Sequence, residues 1–188
     1  MLLALTQFGD AAVLLPLAAA VFLWLLYSRA AHAAAWWLLS VVLCGGLTAA
    51  SKIFFWGCPP ISDLHSPSGH TSISTLVYGA TALITATEGG DWPSRTAAAA
   101  AVCFFPTIGV SRLLLDAHTV PEVFSGWIIG SASLALFGQG YRRYRPQNAR
   151  LVPLFVGLAV LASVLHGSEL HVEELLHRIT RYLQIDCR

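Results

Sequence analysis

Long uncharged runs of hydrophobic residues, separated by short polar connections, occupy most of this chain. A helix that crosses a bilayer needs about 20 such residues, with a usual range of roughly 17–25. The fourth run is short but reaches a full span if it continues through Leu115 with Arg112 facing the protein interior. The pattern predicts six membrane-spanning helices, with five as the alternative. The runs are Ala11–Tyr27, Ala33–Ser51, Thr71–Thr87, Thr96–Ser111, Val123–Tyr141 and Leu151–Leu165.

The end of the chain has a different pattern. Hydrophobic residues recur at helical spacing from Val172 to Leu183, with two glutamates and two arginines between them. Such a pattern predicts an amphipathic helix that lies on the membrane or on the helix bundle. We therefore expect an all-α, polytopic membrane helix bundle over residues 1–167 and an amphipathic tail over residues 168–188.

Composition agrees with a membrane protein and excludes one other class. Of the 188 residues 56% are hydrophobic and only 11% are charged, whereas a soluble domain carries about 25% charged residues. The formal net charge is +1, and basic residues cluster in one short loop only, which argues against nucleic-acid binding. No spacing of cysteine and histidine resembles a zinc site.

Arginines predict the orientation of the spans. The loop from Gly138 to Arg150 holds four arginines, and Arg29 follows the first span. Basic loops face the cytoplasm, so the connections Lys52 to His70 and Arg112 to Glu122 both face outward. No Lys or Arg precedes Arg29, so we do not expect the first span to be a cleaved signal.

The four cysteines fall into two pairs by predicted location. Cys44 and Cys103 lie within predicted spans and are expected to behave as small apolar residues. Cys58 and Cys187 would both face the oxidising side, where a disulfide between them and two free thiols are the alternatives.

Two glycines in the fifth predicted span, Gly126 and Gly130, form a Gly-x-x-x-Gly pair. Such a pair allows two helices to approach closely. Packing inside the bundle is favoured over a dimer contact.

Polar residues are grouped in the first outward connection, at Ser66-Pro67-Ser68-Gly69-His70. Ser66 is predicted to cap a helix with Pro67 in its first turn. The free N–H groups of such a helix start attract anions, and phosphate is the usual one. Gly69 allows close approach, the Ser68 hydroxyl adds a donor, and His70 could give a proton to a leaving oxygen. The alternative is an ordinary capped helix with an incidental histidine.

The second group runs from Ser111-Arg112 to His118 and Glu122. The planar fork of Arg112 fits phosphate oxygens. His118 and Glu122 are four residues apart and would be neighbours on a helix. A carboxylate bonded to one imidazole nitrogen fixes the tautomer and leaves the other nitrogen free to attack. These residue types match phosphoryl transfer through a histidine.

A rival interpretation of the same residues is a capping box. Thr119 and Glu122 fit the S/T-x-x-E pattern, and Pro121 favours a helix start there, which would leave His118 just outside the helix. We favour Glu122 as the partner of the histidine. Asp116 is interpreted as a loop residue.

The two groups resemble the second and third signature motifs of the type 2 phosphatidic acid phosphatase (PAP2) superfamily, which includes membrane lipid phosphatases, bacterial acid phosphatases and vanadium haloperoxidases. The second motif, Pro-Ser-Gly-His, is unchanged at residues 67–70. The third, Ser-Arg, five residues, His, three residues, Asp, is present with Glu122 in place of Asp. The first, Lys, six residues, Arg-Pro, matches at Lys52 and Pro60, but Pro59 replaces the arginine. His65 is a candidate to replace that basic group.

The resemblance implies a role for each matched residue. His118 would attack phosphorus and form a phosphohistidine, and Glu122 would hold and polarise it. His70 would protonate the leaving group and then activate water. No metal or other cofactor is needed, because cationic side chains and helix amides do the work of Mg²⁺. The phosphate-binding residues would be Lys52, Ser68, Gly69 and Arg112.

The function that the resemblance implies is a membrane lipid phosphatase at the outer, periplasmic face of a bacterial-type inner membrane. Candidate substrates are undecaprenyl diphosphate, phosphatidylglycerophosphate, phosphatidic acid and the phosphates of lipid A. One alternative is a phosphotransferase that passes the phosphate to another lipid. A second is a lipid-binding or transport protein with a degenerate site, which only the arginine missing at Pro59 favours.

Overall fold

The computed structural model describes residues 2–58, 65–147, 149–168, 170 and 172–183. All regular secondary structure in these ranges is helical. The helices are α1 (Leu2–Gln7), α2 (Ala11–Tyr27), α3 (Ala31–Gly57), α4 (Gly69–Glu88), α5 (Trp92–Leu114), α6 (Val120–Tyr144), α7 (Leu151–Leu165) and α8 (Val172–Leu183).

Helices α2 to α7 coincide with the six predicted segments, and the predicted all-α membrane fold is confirmed. Helices α2 and α7 have the predicted bounds, and the other four are longer at both ends. Three helices, α3, α5 and α6, are long and apolar enough to cross a membrane, while α2 and α7 are shorter apolar helices. Helix α5 continues past Arg112 as predicted, and the tail forms the amphipathic α8. The short α1 was not predicted.

The hydrophobic core lies between α2, α3, α4 and α6. Trp37 of α3 is buried, donates its indole N–H to the Ala18 carbonyl at 2.8 Å, and meets the ring of Phe137 from α6 edge-on. On α4, the buried side carries many hydroxyl groups, which bond back to carbonyls one turn earlier, as Thr75 does to Thr71 at 2.7 Å. These internal bonds let a polar helix sit inside an apolar bundle.

Gly126 and Gly130 place α6 directly against the start of α4. A Cβ on Gly126 would lie 2.7 Å from the Ser68 carbonyl oxygen, and one on Gly130 would lie 2.5 Å from the Ser72 carbonyl oxygen. Only glycine permits backbones to approach this closely. The predicted packing inside the bundle is confirmed.

Three cysteines lie in the described part of the chain. Cys44 is buried and free, and Cys103 is exposed and free. Cys58 is disulfide-bonded. Cys187 lies outside the described residues, so its pairing with Cys58 stays a prediction.

Candidate active site

The first polar group contains the N-cap of α4, which is Ser68 and not Ser66 as predicted. The Ser68 Oγ accepts hydrogen bonds from the Thr71 amide at 3.4 Å and the Thr71 hydroxyl at 2.9 Å. Ser66 lies in the loop two residues before the cap, where its amide donates to Glu122 Oε1. The prediction that Pro67 lies in the first turn of the helix was therefore wrong as well.

The start of α4 faces Lys52 of α3. The amides of Gly69 and His70 belong to the first turn, where N–H groups have no intrahelical acceptor. A Cβ on Gly69 would lie 3.8 Å from the Lys52 Cε atom, so a glycine at this position keeps the space between the amide and the ammonium group open. A helix start beside a buried cation is suited to an anion.

The side chain of Glu122 is both the partner of His118 and a member of the capping box of α6, the two roles that were predicted as alternatives. Its Oε2 atom lies 2.9 Å from the Nδ1 atom of His118 and accepts the Thr119 amide at 3.0 Å. The capping box of Thr119 and Glu122 is complete. His118 lies in the loop before α6, where the capping interpretation places it, and still contacts the carboxylate. The two interpretations were therefore not exclusive.

The other oxygen of Glu122 holds the loop that leads to α4. Oε1 accepts the amides of His65 at 3.1 Å and Ser66 at 2.9 Å, and the Glu122 carbonyl accepts the Ser68 amide at 3.0 Å. One glutamate therefore joins the two polar groups. The extra methylene of glutamate, compared with the aspartate of the third motif, gives the carboxylate the reach to contact both loops.

The pKa of His118 lies below its ordinary value of 6.5. Burial of the ring is the main cause, and the charges of Lys52 and Arg112 add to it, whereas the bond to Glu122 acts in the opposite direction. At neutral pH the ring is therefore neutral. Because a carboxylate accepts at Nδ1, the proton is on Nδ1 and the lone pair is on Nε2.

Lys52 and His70 each face a carboxylate that the sequence analysis missed. The Lys52 side chain is 4% exposed, and its Nζ atom lies 2.7 Å from the Oε1 atom of Glu173 in α8. The Nε2 atom of His70 lies 3.7 Å from the Oδ2 atom of Asp10. Asp10 also caps α2 through the Ala12 amide at 2.8 Å. Asp10 is the only acidic residue before residue 63. A single carboxylate in such an apolar stretch is a signal that could have identified Asp10 as a site residue.

Arg112 reaches the site from the end of α5. Its Nη1 atom donates to the Thr6 hydroxyl of α1 at 3.4 Å. Its Nε atom is buried and has no hydrogen-bond partner among the described residues. Arg112 is close enough to His70 and His118 to interact with both electrostatically.

Five of the seven predicted site residues line one of two cavities. Lys52, Gly69 and His70 line a cavity of about 230 Å³, which Asp10 and Glu173 also line. Apolar side chains complete its wall: Leu15, Ile73, Val172 and Leu176. Another cavity of about 380 Å³ is lined by His118 and Glu122.

Two further predictions concern the connections around the site. Asp116 is a loop residue, as predicted, with φ at 51° between α5 and α6. His65 is exposed, and its Nδ1 atom lies 3.9 Å from the Oε1 atom of Glu122. The histidine therefore lies beside the carboxylate. Pro59 and Pro60 of the first motif lie outside the described residues.

A bundle of membrane helices with this site is a protein of the membrane-phosphatase type. The pattern of the PAP2 superfamily matches residues 48–146, more than half of the chain. The chain belongs to the PAP2 superfamily, and the resemblance seen in its motifs is confirmed.

Comparison with known proteins adds one relative. An uncharacterized 22.5 kDa protein in the cps region of Klebsiella pneumoniae is 32% identical over 134 residues, which cover 69% of this chain and 64% of that protein. The match therefore spans less than two thirds of the relative's length. No solved structure matches this one at a significant level.

Proposed function

We propose that this protein is a lipid phosphatase that hydrolyses a phosphomonoester or diphosphate of a membrane lipid through a phosphohistidine on His118. The observation that carries the proposal is the 2.9 Å contact between His118 Nδ1 and Glu122 Oε2. It orients a neutral imidazole whose second nitrogen is a nucleophile. The roles of the individual residues below are part of the proposal.

In the first step, the Nε2 atom of His118 attacks phosphorus and the bond from phosphorus to the leaving oxygen breaks. His70 gives its proton to that oxygen, so the lipid leaves as an alcohol or, from a diphosphate, as a monophosphate. The imidazole becomes positively charged as the N–P bond forms. Glu122 stabilises that charge through Nδ1.

In the second step, water attacks the phosphohistidine. His70, now neutral, takes a proton from the water, and inorganic phosphate leaves while His118 regains its lone pair. The Asp10 carboxylate lies 3.7 Å from the His70 ring and opposes the effects of burial and of the Arg112 charge, which both disfavour the protonated ring.

Charge on the transferred phosphoryl group would be stabilised by Lys52, Arg112 and the Gly69 amide. The buried Nε atom of Arg112 is a donor that a phosphate oxygen would satisfy. Ser68 supports the site by capping α4, and its hydroxyl is the remaining donor of the set. Preorganised donors of this kind provide transition-state stabilisation without a metal.

The surroundings of the site support a lipid substrate and an outward-facing position. The cavity beside Lys52 and His70 has a largely apolar wall, which suits a lipid chain next to its phosphate. Glu122 lies in the first turn of α6, and Arg142 and Arg143 lie in its last turn. Since basic ends face the cytoplasm, the site would open at the outer face of a bacterial-type inner membrane. Undecaprenyl diphosphate, phosphatidylglycerophosphate, phosphatidic acid and lipid A phosphates remain the candidates.

The test is phosphate release in detergent from a panel of these lipid phosphates. We expect the wild type to release inorganic phosphate from at least one of them, and His118→Ala to lower the rate by roughly 10³-fold or more. His32→Ala is the matched control, because His32 is exposed and stacks on Tyr144, in the last turn of α6, instead of lining the site. Full activity of His118→Ala would exclude this residue as the nucleophile.

Two other results would favour the alternative functions. Phosphate that appears on a second lipid instead of in solution indicates a phosphotransferase. Absence of release from every substrate indicates a lipid-binding or transport protein.

A further inference from the structure

The amphipathic helix α8 contributes a carboxylate to the candidate phosphate site. Glu173 Oε1 lies 2.7 Å from the Nζ atom of Lys52, although the two residues are 121 positions apart. Lys52 is buried in an apolar helix, where an ammonium group needs an anionic partner. Glu173 supplies that partner at the place where the proposed function puts a phosphate oxygen.

The electrostatic surroundings of Glu173 are those of the site itself. The Glu173 side chain is 59% exposed, so it is removed from solvent only in part. This partial burial acts to raise the pKa of the carboxyl group, but the charge and hydrogen bond of Lys52 outweigh it, and His118 and His70 add smaller contributions. The net effect holds the pKa of Glu173 below its ordinary value. The carboxylate is therefore ionised and attracted by the same groups that would attract a phosphate.

Helix α8 lies over the site with most of its side chains exposed. The His177 ring stacks on Trp56 of α3 with ring centroids 3.6 Å apart, and the Leu170 amide before α8 donates to Asp10 Oδ1 at 3.2 Å. Leu176 lines the cavity, whereas Leu175 and Tyr182 on the same helix are exposed. An element with so few buried side chains can separate from its neighbours at low free energy.

We propose that Glu173 is an internal competitor for the phosphate site, which the lipid phosphate displaces from Lys52 when it binds. This inference rests on the proposed function. Glu173 is thus a residue that determines affinity and specificity, not a catalytic one. A phosphomonoester carries about −1.5 to −2 charges at neutral pH, and it also reaches Arg112 and the Gly69 amide. A phosphodiester with a single charge has no such advantage over the carboxylate.

The test is the affinity of the full-length protein in detergent for orthovanadate, a phosphate-like anion, measured by calorimetry. We expect Glu173→Gln to bind vanadate about tenfold more tightly than the wild type, because the competing charge is gone. We also expect a phosphodiester lipid to inhibit this variant more strongly. Glu174→Gln is the matched control, since Glu174 is as exposed as Glu173 but pairs with Arg178 on the same helix and not with Lys52. It should bind vanadate as the wild type does.

A second variant, His177→Ala, tests the proposal if Glu173→Gln does not fold. His177→Ala removes the stack on Trp56 and keeps Lys52 and Glu173 intact, so it should tighten vanadate binding in the same direction by a smaller factor. Unchanged or weaker binding in the folded variants would overturn the proposal and leave the proposed function standing. Absence of both vanadate binding and hydrolysis in every variant would overturn the proposed function, and this inference with it.

Discussion

Glu122 Oε2 accepts the Nδ1–H of His118 at 2.9 Å, and the same oxygen accepts the Thr119 amide that begins α6. Orientation of the candidate nucleophile and initiation of a membrane helix therefore depend on one carboxylate. The second oxygen holds the loop before α4, so the geometry of both motifs changes if this side chain changes.

Glu122→Gln should lower the rate of phosphate release by roughly 10²–10⁴-fold. Both oxygens of Glu122 accept hydrogen bonds from N–H groups. A glutamine has only one oxygen, and its NH₂ group would face either the loop amides or the Nδ1–H of His118, where it cannot accept. We also expect a lower midpoint of thermal unfolding, because the capping box and loop contacts weaken. The measurements are steady-state kinetics and thermal unfolding of the purified protein.

Glu88→Gln serves as the control for that variant. Glu88 accepts the Tyr141 hydroxyl at the end of α4, and a glutamine oxygen can do the same. An equal loss of rate in both variants would mean that Glu122 has no special role in the reaction.

The pH dependence of kcat/KM should follow the pKa of His118. Because burial holds this pKa below 6.5, the candidate nucleophile is neutral at pH 7, and activity should fall only as the pH drops through that lowered value. The bond to Glu122 raises the pKa, so Glu122→Gln should move the acid limb to still lower pH while reducing the rate. An acid limb above 6.5 that does not move in this variant would contradict the assignment.

Arg112→Lys should reduce kcat/KM by roughly 10²–10³-fold although the charge is kept. The guanidinium offers a fork of donors, including the buried Nε, and an ammonium group cannot reproduce it. Arg95→Lys, at the exposed opposite end of α5, is the matched control and should keep the wild-type value. If both variants behave alike, the fork of Arg112 is not used in binding.

Gly126→Ala should destabilise the protein by about 1–3 kcal/mol and impair phosphate release. Its Cβ would lie 2.7 Å from the Ser68 carbonyl oxygen, so α6 must move away from the start of α4. Gly157→Ala in α7 has open space around its Cβ and should be neutral or slightly stabilising. Thermal unfolding of the two variants in detergent measures the difference, and equal stability would contradict the close contact.

Much of the fold could be predicted because each helix is marked by a local signal. The bounds of α2 and α7 follow from their uncharged runs, whereas α3 and α5 extend beyond theirs. Lys52 and Arg112 are charged, so each interrupts an apolar run in the sequence. Both side chains face the protein interior, and the helix continues past each residue. The six-residue α1 is too short to show a helical period in the sequence.

The candidate site was predictable where its residues share a motif and not where they come from distant elements. His118 and Glu122 are four residues apart in the chain, so their contact could be proposed from spacing, although His118 lies in the loop before α6. The pairs formed by Lys52 with Glu173 and by His70 with Asp10 join helices far apart in the chain. Only the packing of the bundle brings these carboxylates to the histidine and the lysine.

The many hydroxyl groups of α4 have a consequence for how the protein inserts into the membrane. This helix carries the histidine and glycine of the second motif, yet six of its serine and threonine residues are buried, and the helices apolar enough to cross a membrane in the described chain are α3, α5 and α6. A helix rich in hydroxyl groups partitions weakly into lipid by itself. We therefore expect α4 to enter the bilayer together with a neighbouring helix, so that the site forms only when membrane insertion is complete.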